Sequence, residues 1–251
     1  MTSSLTLDQR TAALDAIAGE IRVCTKCPLH QGRTKAVPGD GPYTADIMFI
    51  GEGPGFHEDQ QGLPFVGASG RLLEEMLAVI GLNRKQVFIT NVVKCRPPEN
   101  RDPMPNEMGT CVPTYLNRQI ELINPKVIVT LGRYSMGLFF PNAKISAIHG
   151  KPKWENNRAY LPMFHPAAVL RSMDTMKTQY EIDFKKLPGL VEEALKRVKP
   201  ATPPHPLAGL DDSPAAEIKD TKAEAKPSAP PDKPKDDKPK DEPPLKQLSL
   251  F

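Results

Sequence analysis

The 251-residue chain is poor in several things that would narrow its class at once. It has four cysteines, one tryptophan and 6% aromatic residues. Four cysteines are too few to staple a fold of this length, so its stability must come from a hydrophobic core. Its apolar runs, such as Val127–Leu131, fall far short of the ~20 residues that cross a bilayer. Residues 1–8 show no basic stretch leading into an apolar one, as a secretory leader requires. A cytoplasmic, reducing location is therefore expected, with no membrane association, and there cysteines serve better as metal ligands than as disulfides. Neither charge sign dominates: 33 Lys and Arg stand against 30 Asp and Glu, a net charge of +3. That balance permits nucleic-acid binding without requiring it. No repeat with a period of 20–50 residues is present.

Proline is in excess, and unevenly placed. Twelve of 28 lie in 200–251, where eight Lys and ten Asp or Glu leave −2; residues 1–199 carry +5. The tail has no hydrophobic periodicity and too little apolar surface to offset chain entropy. Residues 1–199 are read as one folded domain, 200–246 as a disordered linker, and 247–251 as a distinct terminal peptide.

Periodicity predicts a helix over 7–22 and a buried strand over Asp46–Gly51, followed by a Gly-rich loop to about Gly67. Ser69 is placed to cap a helix through Ile80, with Gly81 as terminator. Strands are predicted at Val87–Asn91, Lys126–Gly132 and Ala159–Phe164. A helix opening at Pro105 runs to Ile123, interrupted by Pro113, and helix returns over 176–198 with a break near Pro188. Strands alternating with helices imply an α/β domain with a mostly parallel sheet, whose ligands sit beyond the carboxyl ends of the strands.

Three polar stretches fall at those ends. Gly51-Glu-Gly-Pro-Gly55 lacks both G-x-G-x-x-G spacing and a Walker lysine, so it is not read as a nucleotide-cofactor loop. Its glycines let backbone amides approach a ligand, and Glu52 is the carboxylate nearest the strand. Phe65 can be a stacking platform or a core residue. Asn91 can read one base edge with its donor and acceptor, or cap a turn. His165 can stabilise developing negative charge, or be structural. Leu170-Arg171 joins an apolar wedge to a cation, a pairing suited to entering DNA and holding phosphate. Cys24-x-x-Cys27, Cys95 and Cys111 would suit tetrahedral zinc or an iron–sulfur cluster, which spacing alone does not separate.

Taken in order, Cys24-x-x-Cys27, Gly51-Glu-Gly-Pro-Gly55, Gly62-Leu-Pro-Phe65-Val-Gly67, Asn91-Val-Val-Lys-Cys95-Arg-Pro-Pro98, Cys111 and His165-Pro-Ala resemble the iron–sulfur branch, family 4, of the uracil-DNA glycosylase superfamily. The match runs from about Val23 to Leu195. The resemblance implies a three-layer α/β/α sandwich around a four-stranded parallel sheet. It implies a structural [4Fe-4S] cluster on Cys24, Cys27, Cys95 and Cys111, with Lys94 and Arg96 adding positive field for DNA phosphates. It implies hydrolysis of the N-glycosidic bond of a flipped deoxyuridine, leaving an abasic site. Phe65 would stack on uracil, Asn91 would bind its edge, and Glu52–Gly53 would line the pocket. His165 would face the carbonyl oxygen that gains charge. Relatives that carry an Asp in the first motif have Gly53 in its place here, so Glu52 is taken as the catalytic carboxylate beside His165. Glu58 resembles the residue that excludes the thymine methyl. A related subgroup cross-links itself to DNA through a His in a basic insertion after the Phe motif; that insertion is absent, so turnover is expected.

Gln247-Leu-Ser-Leu-Phe251 resembles the sliding-clamp-binding pentapeptide of bacteria, so the expected partners are uracil-containing DNA and a replication clamp, with the chain itself monomeric. The alternative is a non-catalytic, clamp-associated DNA-binding protein on the same fold.

Overall fold

The computed structural model describes residues 5–197. The linker and terminal pentapeptide expected at 200–246 and 247–251 lie outside the described residues, and with them the clamp reading.

Strands β1 (Ile47–Gly51), β2 (Phe88–Asn91), β3 (Val127–Leu131), β4 (Lys153–Glu155) and β5 (Arg158–Met163) form one sheet in the order β2-β1-β3-β5-β4. Helices are α1 (Leu7–Arg22), α2 (Phe56–Gln61), α3 (Ala68–Val79), α4 (Pro105–Cys111), α5 (Asn117–Ile123), α6 (Arg133–Gly137), α7 (Ile145–Ile148), α8 (Pro166–Arg171), α9 (Met173–Phe184) and α10 (Leu187–Arg197). The β2-β1-β3-β5 pairs are parallel, whereas β4 pairs with β5 antiparallel. The sheet therefore has five strands rather than the expected four. The fifth is a three-residue hairpin arm turned at Asn156 and Asn157, both with positive φ.

Alternation along the strands sends side chains into two cores. Met48, Ile50, Phe88, Ile128 and Tyr160 pack with Leu14, Ile17 and Ile21 of α1 and Ile120 of α5. Ile47, Phe49, Ile89, Val129 and Leu161 pack with Leu73 and Leu77 of α3, Phe184 of α9 and Leu190 of α10. The strands are buried on both faces, which is why they read as near-continuous apolar runs, and the architecture is the expected three-layer sandwich.

Two local departures have simple causes. Pro113 has no N–H to donate, and Val112–Leu116 winds as a π-helical segment between α4 and α5 instead of breaking the helix. Ser69 does not cap α3. The N-cap is Gly67, and Glu58 Oε1 accepts from the N–H groups of Val66 (3.2 Å) and Gly67 (3.4 Å) beside it.

Candidate active site

In the parallel sheet, β1 is flanked by β2 and β3, so the chain crosses over in opposite directions there. Ligands bind at such a switch point, outside the carboxyl ends of the strands. A cleft of about 730 Å³ opens at that place, lined by Glu52, Gly53, Glu58, Phe65, Asn91, His165 and Arg171 together with Asn100, Asp102, Gly132, Arg133 and Phe164. Every residue singled out from the sequence for base recognition or chemistry lines this one cleft. Leu170 does not: it is half-buried against the α3/α9 core.

Glycines make the constellation possible. Gly51 and Asn91 are register partners on β1 and β2. A Cβ at Gly51 would stand 2.3 Å from Asn91 Oδ1 and 2.7 Å from Phe65 Cζ. Phe65 reaches this position with φ of 53°, in the left-handed region. Its carbonyl is held by Arg84 Nη1 at 2.8 Å, while Arg84 Nη2 donates to Pro64 O and Nε to Asp40 Oδ2 at 2.9 Å. Arg84 thus fastens the strained Phe65 turn.

Glu52 is half-buried, and burial raises its carboxyl above the ordinary carboxylate range against the pull of the Tyr134 N–H, which donates to Oε1 at 3.3 Å. Gly132, with φ of 95°, lies where a Cβ would come within 2.4 Å of Glu52 Oε1 and 3.1 Å of His165 Cβ. Gly132→Ala should therefore displace both groups and cut catalytic rate by about 10²-fold, the scale of an ångström misplacement. Turnover measured beside a thermal melt checks this; unchanged turnover would show that the clash is absorbed elsewhere.

His165 caps α8, its Nδ1 accepting from Ala167 N–H at 3.2 Å. An accepting Nδ1 leaves the ring proton on Nε2, which makes the neutral imidazole a donor. Burial, assisted by the charge of Arg171, pushes its pKa down to about 4, so the ring is neutral at physiological pH. The His165 and Phe65 ring centroids are 5.8 Å apart. The sequence reading missed Gly132, Arg133 and Asp102. Gly132 and Arg133 follow the carboxyl end of β3 and start α6, Asp102 lies in the stretch before α4, and no local motif marks them.

Arginines at the rim differ in availability. Arg101 is bound to Glu107, with Nη2 to Oε1 at 2.6 Å, and Arg133 is paired with Asp102. Among the described residues Arg171, after β5, and Arg96, after β2, have no carboxylate partner. β1 and β3 separate those two strands, so the strand ends lie roughly 14 Å apart at the usual interstrand spacing. Lys94 corrects the expectation of positive field: it is 1% exposed, and Nζ donates to Thr90 Oγ1 (2.6 Å), Asn91 O (2.9 Å) and Gln119 Oε1 (2.7 Å). An ammonium with all three donors satisfied inside does not reach a phosphate. It ties the end of β2 to α5.

The four cysteines, free thiols in the chain, line a second small cavity with Ile21, Leu29, Val93 and Tyr115. Arg33 Nη1 donates to Cys95 Sγ at 3.0 Å, and Lys26 N–H to Cys24 Sγ at 3.5 Å. Burial pushes the Cys95 thiol up and the Cys111 thiol up to about 11. Thiolates there need a cation to compensate them. Among the described residues no three His, Cys, Asp or Glu converge closely enough for a single metal ion. The cavity brings all four sulfurs to one apolar-walled place, with N–H groups on two of them, a donor set that suits a thiolate-bound metal centre. No helix among the described residues is long and apolar enough to cross a membrane.

A model of the uracil DNA glycosylase superfamily matches residues 38–186. The chain is 48% identical over 184 residues to a type-4 uracil-DNA glycosylase of Archaeoglobus fulgidus, covering 70% of this chain and 92% of that protein. It is 49% identical over 185 residues to the type-4 enzyme of Sulfurisphaera tokodaii, covering 70% and 83%. The Saccharolobus solfataricus type-4 enzyme is 47% identical over 209 residues, 79% of this chain and 94% of that protein. The chain belongs to the uracil-DNA glycosylase superfamily, and within it to the type-4 enzymes.

Proposed function

We propose that the chain excises uracil from DNA by hydrolysis, as a monofunctional glycosylase. The observation that carries this reading is the convergence of Glu52, Phe65, Asn91 and His165 on one cleft at the carboxyl ends of β1, β2 and β5. A deoxyuridine leaves the base stack to enter the cleft. Phe65 stacks on the ring, and Asn91 holds its polar edge by a donor and an acceptor. Glu58 stands toward the C5 side, where a thymine methyl would crowd it. The C1′–N1 bond breaks with its electron pair leaving on the base, and the neutral His165 donates to the oxygen that takes up the charge. Water adds to the oxocarbenium-like C1′ and loses its proton, while the uracil anion takes a proton from solvent. Ionised Glu52 orients that water or stabilises the cation. Arg171 and Arg96 hold flanking phosphates.

Cys24, Cys27, Cys95 and Cys111 would hold a [4Fe-4S] cluster, which supplies structural cross-linking of the 24–33 segment, the loop after β2 and α4. Iron and acid-labile sulfide in equal amounts in the purified chain are expected. Zinc in their place would remove this part of the reading.

Strand cleavage by hot alkali of a labelled oligonucleotide with one uracil, against a thymine control, tests the function. Cleavage only at uracil supports both the excision and the methyl-excluding pocket. No cleavage by cluster-loaded protein would leave a DNA-binding protein without catalysis.

The pH dependence follows from the two shifts. Glu52 acts ionised, and its pKa is raised, so activity should fall on acidification through a value above the usual ~4.3 of a free Glu. His165 acts neutral and stays neutral down to about 4. The single-turnover profile should therefore have one acid limb, from the carboxylate, and the residual activity of Glu52→Gln should lack it. A limb near the ordinary imidazole value of ~6.5 that survives in Glu52→Gln would contradict the neutral donor.

A further inference from the structure

Phe56 opens α2 directly after Gly55, which lines the cleft, yet the residue is 52% exposed. Its partner His57 meets it edge-on, with centroids 5.5 Å apart and planes at 78°. The Arg96 guanidinium stands 5.2 Å from the Phe56 centroid. Arg96 Nε donates to Asn100 Oδ1 at 2.8 Å, and Asn100 lines the cleft. Since Arg96 has no carboxylate partner among the described residues, its charge is available to an anion. An exposed aromatic ring with a free cation beside it, each next to a residue that lines a cleft taking an extruded base, matches one repeat of a single strand: a base plane and a phosphate.

We propose that Phe56 and Arg96 form a stacking step for the nucleotide that adjoins the flipped deoxyuridine, Phe56 taking the neighbouring base on its open face and Arg96 the intervening phosphate. This rests on the uracil-DNA reading above and deepens it. Flipping removes a stacking partner from the neighbouring base. A ring beside the cleft replaces that partner, and does so for any base, because every base has a π-face. The site therefore favours strands whose neighbouring base is free to turn, as in single-stranded or mismatched DNA.

The test is a cycle between protein and substrate, using the full chain and single-stranded oligonucleotides with one uracil. Companion oligonucleotides lack the base at one or the other flanking position. Phe56→Ala should weaken apparent affinity by about 5–150-fold, the worth of one stacked base, with the saturated excision rate nearly unchanged. Wild type should weaken similarly when one particular flanking base is missing, and Phe56→Ala should then add nothing. Phe56→Tyr should behave as wild type. Arg96→Gln should lower the salt dependence of binding by about one phosphate contact. A Phe56→Ala loss that is equal with and without either flanking base would overturn the proposal, as would no loss at all. A wild-type chain that ignores uracil would overturn the underlying function instead, which the alkali-cleavage assay detects separately.

Discussion

Asn91→Ala should lower kcat/KM for uracil excision by about 10⁴-fold, the penalty when a site built to bind a polar edge loses its partner. Affinity for DNA without uracil should change little, because the phosphate contacts proposed for Arg171 and Arg96 are untouched. The side chain is 2% exposed, its strand partner is Gly51, and its own carbonyl is held by Lys94 Nζ at 2.9 Å. The backbone is thus fixed independently of the amide, and its truncation should leave the strand in place. Single-turnover kinetics beside fluorescence anisotropy separate the two effects. Equal losses in excision and in binding to uracil-free DNA would mean that Asn91 supports the surface generally and does not read the base.

The second large effect is expected at His165. Removing one donor to a developing oxyanion costs about 10²–10³-fold in rate, and His165→Ala should do so. The same substitution removes the α8 cap, since Nδ1 accepts from Ala167 N–H. Leaving-group dependence distinguishes the two roles. A uracil analogue that departs more readily as an anion needs less help from the donor, so it should suffer a smaller loss than uracil. A structural loss would depress both substrates alike, and that outcome would remove His165 from the chemistry.

The sequence shows some parts of this molecule more plainly than others. β1, β2, β3 and β5 were readable because a strand covered on both faces is an uninterrupted apolar run that ends at Gly, Asn or a polar stretch. β4 was not, because Lys153-Trp-Glu155 is an edge arm with half-exposed and exposed side chains. α2 hid inside a stretch taken as loop, being six residues between Gly55 and the left-handed Gly62. Glu52, Asn91 and His165 were legible because each sits within two residues of a strand end, and Glu58 and Phe65, farther along the stretch after β1, because they belong to the motifs that follow it. Gly132 was not, since its role is to admit Glu52 from 80 positions earlier, a relation without a local pattern. Lys94 misled for the opposite reason. A lysine in a polar stretch suggests exposure, and the three buried acceptors that hold it come from two elements, β2 and the sequence-distant α5.

The edges of the sheet carry a consequence for the behaviour of the protein in bulk. At β2, Asp40 exchanges backbone hydrogen bonds with Ile89 at 2.9 and 2.8 Å. At the far side β5 is covered by β4, whose own outer edge is three residues long and bears Lys153 and Glu155. Apolar strands of this kind readily template growth when their backbone is open. Here one side is plugged by a loop, and the other ends in a short charged stub. The described domain should accordingly stay dispersed at concentrations where a sheet with open borders would begin to precipitate.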